Sequence, residues 1–201
     1  MRRCWFLALC LMAITRFSHA QLVDQSLSGL GKTSSRMWIE LSTNTGHKPD
    51  DILKIKNAFP GYHLLSQCTG SFANEGYTEF ALGLINEKEG KGVYAAVLND
   101  PAKNDYRVVR LTTFAVAFNE KGWPENYMEV QCNSAMLIKR INRNLSKQHN
   151  EAGQPLGSLR ALSNYDSICV SPFDKPHLEF VCYGYDFQKN GFVEIGGWST
   201  P

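Results

Sequence analysis

Six cysteines, five histidines, nineteen carboxylates and eight tyrosines are the side chains with which this 201-residue chain could do chemistry. Their spacing narrows the choice. His47, His63, His149 and His177 form no His-x₃-His pair and no His-Glu-x-x-His helix, so the ligand set of a zinc hydrolase is missing. No Gly-x-Ser-x-Gly elbow occurs, and a cysteine nucleophile would need a free thiol beside a histidine. Asp174 and Glu179, with His177 between them, could flank a glycosidic bond, which keeps a cell-wall or glycan hydrolase as the alternative reading. No residue set asks for a cofactor.

The cysteines point to covalent structure. Arg2 and Arg3 precede an apolar run from Trp5 to Ile14, and Ser18-His19-Ala20 offers the small residues that a signal peptidase reads. Ten apolar residues reach only ~15 Å as a helix, half of a ~30 Å hydrocarbon core, so the run reads as a cleaved leader and not as an anchor. No later run is long enough to span a membrane. Export would remove Cys4 and Cys10 and leave Cys68, Cys132, Cys169 and Cys182 in an oxidising, periplasmic or extracellular compartment. Structural zinc would want Cys-x₂₋₄-Cys pairs, and there are none.

The elements that must hold these residues follow from pattern and punctuation. Loss of Arg2, Arg3 and Arg16 turns a formal charge of +2 into 18 Lys+Arg against 19 Asp+Glu, which removes the basic face that nucleic acid requires. Residues 21–35 are polar and glycine-containing and read as a flexible N-terminal arm. Within it, Gly29-Leu-Gly-Lys-Thr33 mimics the end of a phosphate loop but lacks its first glycine, since Ser26 stands there. Arg36 to Leu41 reads as a strand or short helix. Lys48 to Phe59 reads as a helix, with proline and two acids at its start and Pro60-Gly61 at its end. Strand-like runs follow at Tyr62–Gln67, Tyr77–Ile85, Gly92–Leu98 and Tyr106–Leu111, and a second helix is predicted from Asn133 or Ser134 to about Gln148.

Asp166 to Val170 and Leu178 to Tyr183 alternate like strands about a loop holding Pro172 and Pro176. Of the three pairings that four cysteines allow, this hairpin favours Cys169 with Cys182 and leaves Cys68 for Cys132. The expected organisation is a signal peptide at 1–20, the arm at 21–35 and a single α+β domain at 36–201. That domain would be an antiparallel sheet with two helices and two disulfides.

The stretch Cys68-Thr-Gly-Ser-Phe-Ala-Asn-Glu-Gly-Tyr-Thr-Glu-Phe-Ala-Leu82 carries Gly70, Phe72, Gly76, Phe80 and Ala81 at the positions of a glycine-turned strand pair. It resembles the FG-GAP and VCBS-type repeats, with a weaker echo up to Leu98, in the manner of degenerate single copies in small exported bacterial proteins. The resemblance implies a β-turn scaffold. In the family, acids at this turn give oxygens to calcium; the matching positions here are Ser71, Ala73, Glu75 and Glu79, leaving two carboxylates for a vestigial site.

The chain ends in aromatics. Phe180, Tyr183, Tyr185, Phe187, Phe192 and Trp198 lie on expected strands, and alternation sets Phe180 and Cys182 on one face, Val181, Tyr183 and Tyr185 on the other. An uncovered second face would present Tyr183, Tyr185, Asp186 and Trp198 as a binding surface, the composition of protein-binding hot spots and of sugar stacking. The expected function is therefore an exported, non-catalytic binding protein: an inhibitor, an immunity-type protein or an envelope accessory factor. Another protein is its expected partner and a glycan the second choice; a structural envelope protein is a further alternative.

Overall fold

Two adjacent strands with no polar face account for the architecture. Every residue from Glu79 to Asn86 is buried, and so is every residue from Gly92 to Leu98, so this hairpin must be covered on both sides. In the computed structural model, which describes residues 29–44, 47–125, 129–134, 136–139, 157–159, 165–170 and 180–198, helices cover one side and a second sheet covers the other.

The described elements run α1 (Gly29–Asn44), α2 (Pro49–Asn57), β1 (His63–Gly70), β2 (Glu79–Asn86), β3 (Lys91–Asp100), β4 (Asp105–Ala115), β5 (Val130–Asn133), β6 (Gly157–Leu159), β7 (Ser167–Val170), β8 (Phe180–Asp186) and β9 (Gly191–Trp198). Strands β1-β2-β3-β4 form an antiparallel meander, and β5-β7-β8-β9-β6 form a second antiparallel sheet. The fold is α+β with two disulfides, and its strands divide between two sheets where one was expected.

Strand alternation sorts the core into layers. Phe80, Leu82 and Leu84 of β2, with Val93, Ala95 and Val97 of β3, meet Trp38 and Leu41 of α1 and Ile52 and Ile55 of α2. The intervening Ala81, Ile85, Tyr94, Ala96 and Leu98 meet Ile168, Val170 and Tyr185 of the second sheet. On that sheet's outer face, Cys169, Phe180, Cys182 and Ile195 pack with Ile138 of a helical segment at 136–139. The layer between the sheets is tight: a Cβ on Gly92 would lie 2.1 Å from the Phe114 ring.

Helix α2 lies where its proline, Asp50 and Asp51 predict a start. Helix α1 is the departure. Residues 29–35, expected to belong to a loose arm, form its first half, with Leu30 buried. Its inner stripe mixes Leu30, Trp38 and Leu41 with Ser34, Ser35 and Ser42, so hydroxyls interrupt the apolar period by which such a helix is recognised. Those hydroxyls are satisfied inside: Ser35 Oγ donates to the Gly31 carbonyl at 2.8 Å, and Ser34 Oγ accepts the Leu64 amide of β1 at 2.8 Å. The phosphate-loop mimic is the first turn of this helix, where Thr33 Oγ1 donates to the Gly29 carbonyl.

Both cysteine pairs form as expected. Cys169 and Cys182 face each other across β7 and β8 with Cα atoms 4.0 Å apart, and Cys68–Cys132 ties β1 of the first sheet to β5 of the second, Cα atoms 5.7 Å apart. No helix among the described residues is long and apolar enough to cross a membrane.

Candidate functional site

Alternation on β8 turns Tyr183 and Tyr185 away from the disulfide face, as the sequence predicts, but that second face packs on the first sheet. Tyr185 is only 4% exposed and Tyr183 is half-buried against the same core, so the expected open tyrosine face is not there. Asp186 caps the 187–190 turn, its Oδ1 accepting the amides of Gln188 at 2.9 Å and Lys189 at 3.2 Å. Trp198 closes β9, paired in register with Phe180 and Gly157. The structure therefore brings Tyr185 and Asp186 to one turn and leaves Trp198 at the far end of the strand. Asp174, His177 and Glu179 lie outside the described residues.

The large apolar side chain exposed at that turn is Phe187, at 52%. Its ring is braced by Tyr165, 5.1 Å away between centroids, and by Tyr185, edge-on at 5.0 Å. Beside it, Arg107 of β4 reaches across from the first sheet. Its Nη2 donates to the Tyr185 hydroxyl at 2.6 Å, its Nη1 points at the Asn190 carbonyl at 3.4 Å, and its guanidinium carbon lies 5.8 Å from the Tyr185 ring centre. The Tyr185 hydroxyl in turn donates to Asn190 Oδ1. Asn190 can serve both bonds because it takes a positive φ of 50°, which asparagine tolerates better than most residues.

These side chains wall a groove of about 370 Å³ with Ala73, Asn74, Asn99, Pro101 and Lys103. Its floor is rigid for a nameable reason. Glu79 is fully buried at the start of β2, and its carboxylate accepts four N–H donors: the Phe72 and Ala73 amides at 2.8 and 2.7 Å, Asn74 Nδ2 at 2.8 Å and the Asn99 amide at 3.1 Å. Asn74 Nδ2 also donates to the Asn99 carbonyl at 2.8 Å, which locks the 71–78 loop to β3. Asp166 Oδ2 accepts the Ser71 amide at 3.0 Å and so fastens the same loop to the second sheet.

At the turn that resembles a calcium loop, Glu79 is thus ringed by hydrogen-bond donors, and a cation would have to displace all four. Glu75 is exposed, and the described residues include no group of three His, Cys, Asp or Glu arranged to hold a metal.

A second hollow, about 340 Å³, lies across the β3–β4 turn and is lined by His47, Lys48, Asp51, Lys54, Asn104, Asp105 and Tyr106. The Tyr106 hydroxyl is hydrogen-bonded to His47 Nδ1, and the imidazole packs edge-on against Phe80 at 4.8 Å. Burial pulls the His47 pKa down from 6.5, partly opposed by Asp51 and a hydrogen bond to the Thr78 backbone. Burial, with the nearby charges of Asp51 and Asp105, pushes the Tyr106 phenol up. Both shifts favour the neutral forms, a phenol O–H hydrogen-bonded to an uncharged imidazole. Lys54 stands 4.0 Å from Asp51 and 3.7 Å from Asp105, one exposed cation shared between two acids.

Sequence reading missed Arg107, Phe187 and Asn190. Phe187 reads as one of the strand aromatics; Asp186 followed by Asn190-Gly191 is a turn signal that could have moved it to a loop, but nothing in the sequence relates position 107 to 185. The fold and groove define a two-sheet α+β protein with a polar inter-sheet site. No family model, curated protein or solved structure matches the chain, so the likeness to FG-GAP and VCBS repeats rests on its local turn alone.

Proposed function

We propose that the chain is an exported, non-catalytic binding protein, an inhibitor, immunity-type or envelope accessory factor, that works through protein–protein contacts at the Arg107–Phe187 groove. The observation that carries this reading is Phe187, half exposed yet held between Tyr165 and Tyr185 beside an arginine whose own anchors are neutral. Aromatic and arginine side chains pre-ordered in this way lose little entropy on binding, which is why they dominate interface energetics. Two intramolecular disulfides are compatible with an oxidising compartment, and they support export.

The binding surface differs from the one expected from sequence. Tyr185 is its support, and Phe187 and Arg107 are its contacts. The test uses the oxidised chain as bait in extract from its native compartment, followed by titration of each captured and purified protein. Phe187→Ala is expected to raise the Kd at least tenfold while costing about 1 kcal/mol or less of stability; an unchanged Kd removes this surface. N-terminal sequencing of the exported product tests the leader, with a start at Gln21 expected and recovery of intact chain from the cytosol overturning export.

A further inference from the structure

We infer that the Arg107 groove receives the carboxylate of an aspartate or glutamate side chain presented on a loop of the partner protein; this rests on the binding reading above. The argument begins with charge. Arginine stays protonated at any pH the protein meets, and it carries five N–H donors in a planar fork. Arg107 directs its hydrogen bonds to neutral acceptors, the Tyr185 hydroxyl and the Asn190 carbonyl, and among the described residues no carboxylate pairs with it.

The nearby acids have partners of their own, and the one that lines the groove, Asp100, is paired there with Lys103. Asp100 pairs with Lys103 at 3.1 Å, Asp186 caps its own turn, and Glu79 is saturated by four N–H groups. A half-buried cation held at a fixed orientation in a groove, with its local anions used up, is complementary to an incoming anion. Carboxylate suits it because two parallel N–H···O bonds match the guanidinium fork.

The surroundings favour a protein loop over a free acid or a sugar. The groove volume of about 370 Å³ lies at the small end of ligand pockets, roughly 300–1,000 Å³. It is open to solvent on one side, whereas small-ligand pockets enclose most of their ligand. Phe187 stands exposed at the rim, where it can cover apolar atoms flanking an acidic residue. A neutral sugar would leave the arginine charge uncompensated, and the Phe187 ring has Tyr165 and Tyr185 as close neighbours where stacking would want a clear face.

The test uses the full chain, exported and oxidised, with an array of labelled dodecapeptides that carry a central Asp or Glu, each beside its Asn or Gln twin. Oligogalacturonate and free glutamate serve as competitors. Acidic peptides are expected to bind at least tenfold more tightly than their twins, with the preference shrinking as NaCl rises. Arg107→Gln should abolish the preference and Arg107→Lys should keep part of it. Equal binding of the twins, no binding of any acidic peptide, or stronger binding of oligogalacturonate each overturns the inference, the last by assigning the groove to an acidic glycan. The twin comparison on the unmutated chain holds even if an Arg107 variant folds poorly. If twins bind alike while Phe187→Ala still weakens a captured partner, the carboxylate falls and the binding surface stands.

Discussion

Glu79 shows how a turn can be organised around one buried side chain. A buried carboxylate is stable only when its lone pairs are filled, and four N–H donors from the 71–74 segment and Asn99 fill them. Glu79→Gln sets an amide NH₂ against some of those donors, and the expected loss is about 3 kcal/mol, read from the urea midpoint of the oxidised protein. Tyr185 and Phe187 divide along the same lines. Tyr185→Ala should cost about 3–5 kcal/mol as a core aromatic truncation, while Phe187→Ala should cost about 1 kcal/mol or less. Comparable losses at both sites would contradict their burial. His47 gives a pH dependence. Its folded-state pKa lies below 6.5, so the unfolded chain takes up a proton first as the pH falls. Its contribution to stability is whole above that value and lost progressively on acidification towards the folded pKa. Urea midpoints at pH 7.5 and 5.5 should differ more for the native chain than for His47→Gln; equal differences would remove the assignment.

Elements in this protein are docked by polar pins as well as by apolar stripes. Helix α1 is the clearest case, because its buried Ser34 hydroxyl oxygen accepts the Leu64 amide of β1, beside the register shift between Leu64 and Ser66. Strand β1 is an edge of its sheet, so amides on its outer side have no ladder partner, and the helix supplies the acceptor. Ser34→Ala should therefore cost about 1–3 kcal/mol through the orphaned amide, more than the loss of a hydroxyl at the exposed Thr43. Hydrogen exchange should report it locally as faster exchange at Leu64, and unchanged exchange there would refute the pin. The same serines explain why α1 is hard to read from sequence. Periodicity counts apolar residues, and a stripe that is half hydroxyl scores as a loop. Helix α2 and strands β1 to β4 are legible because proline, acids and short apolar runs bounded by turn residues mark them without help from distant residues.

At the scale of the molecule, two sheets are held face to face by their shared core and by one covalent tie. Cys68–Cys132 joins the sheets over a sequence separation of 64, and Cys169–Cys182 closes a separation of 13 within one sheet. Counted as loop-closure entropy, these are worth about 4 and about 3 kcal/mol. Cys68→Ser with Cys132→Ser should lower the urea midpoint more than Cys169→Ser with Cys182→Ser; the reverse order would show that the hairpin bridge carries more than chain entropy. The inter-sheet tie also bears on the groove, whose walls come one from each sheet. The site exists only while the sheets stay in register with each other.

Local chemistry is what the amino-acid order settled unaided: both disulfides, the α2 boundaries, the alternating strands and the face of β8 on which each residue lies. Each depends on neighbours within a few positions or on the countable logic of four thiols. The fate of that second β8 face was decided elsewhere, by β2 and β3, whose residues are apolar on both sides and demand a second covering layer. Tyr185 was buried for that reason. Arg107, Phe187 and Asn190 came together because two sheets packed, a relation between positions some eighty residues apart that no local pattern encodes.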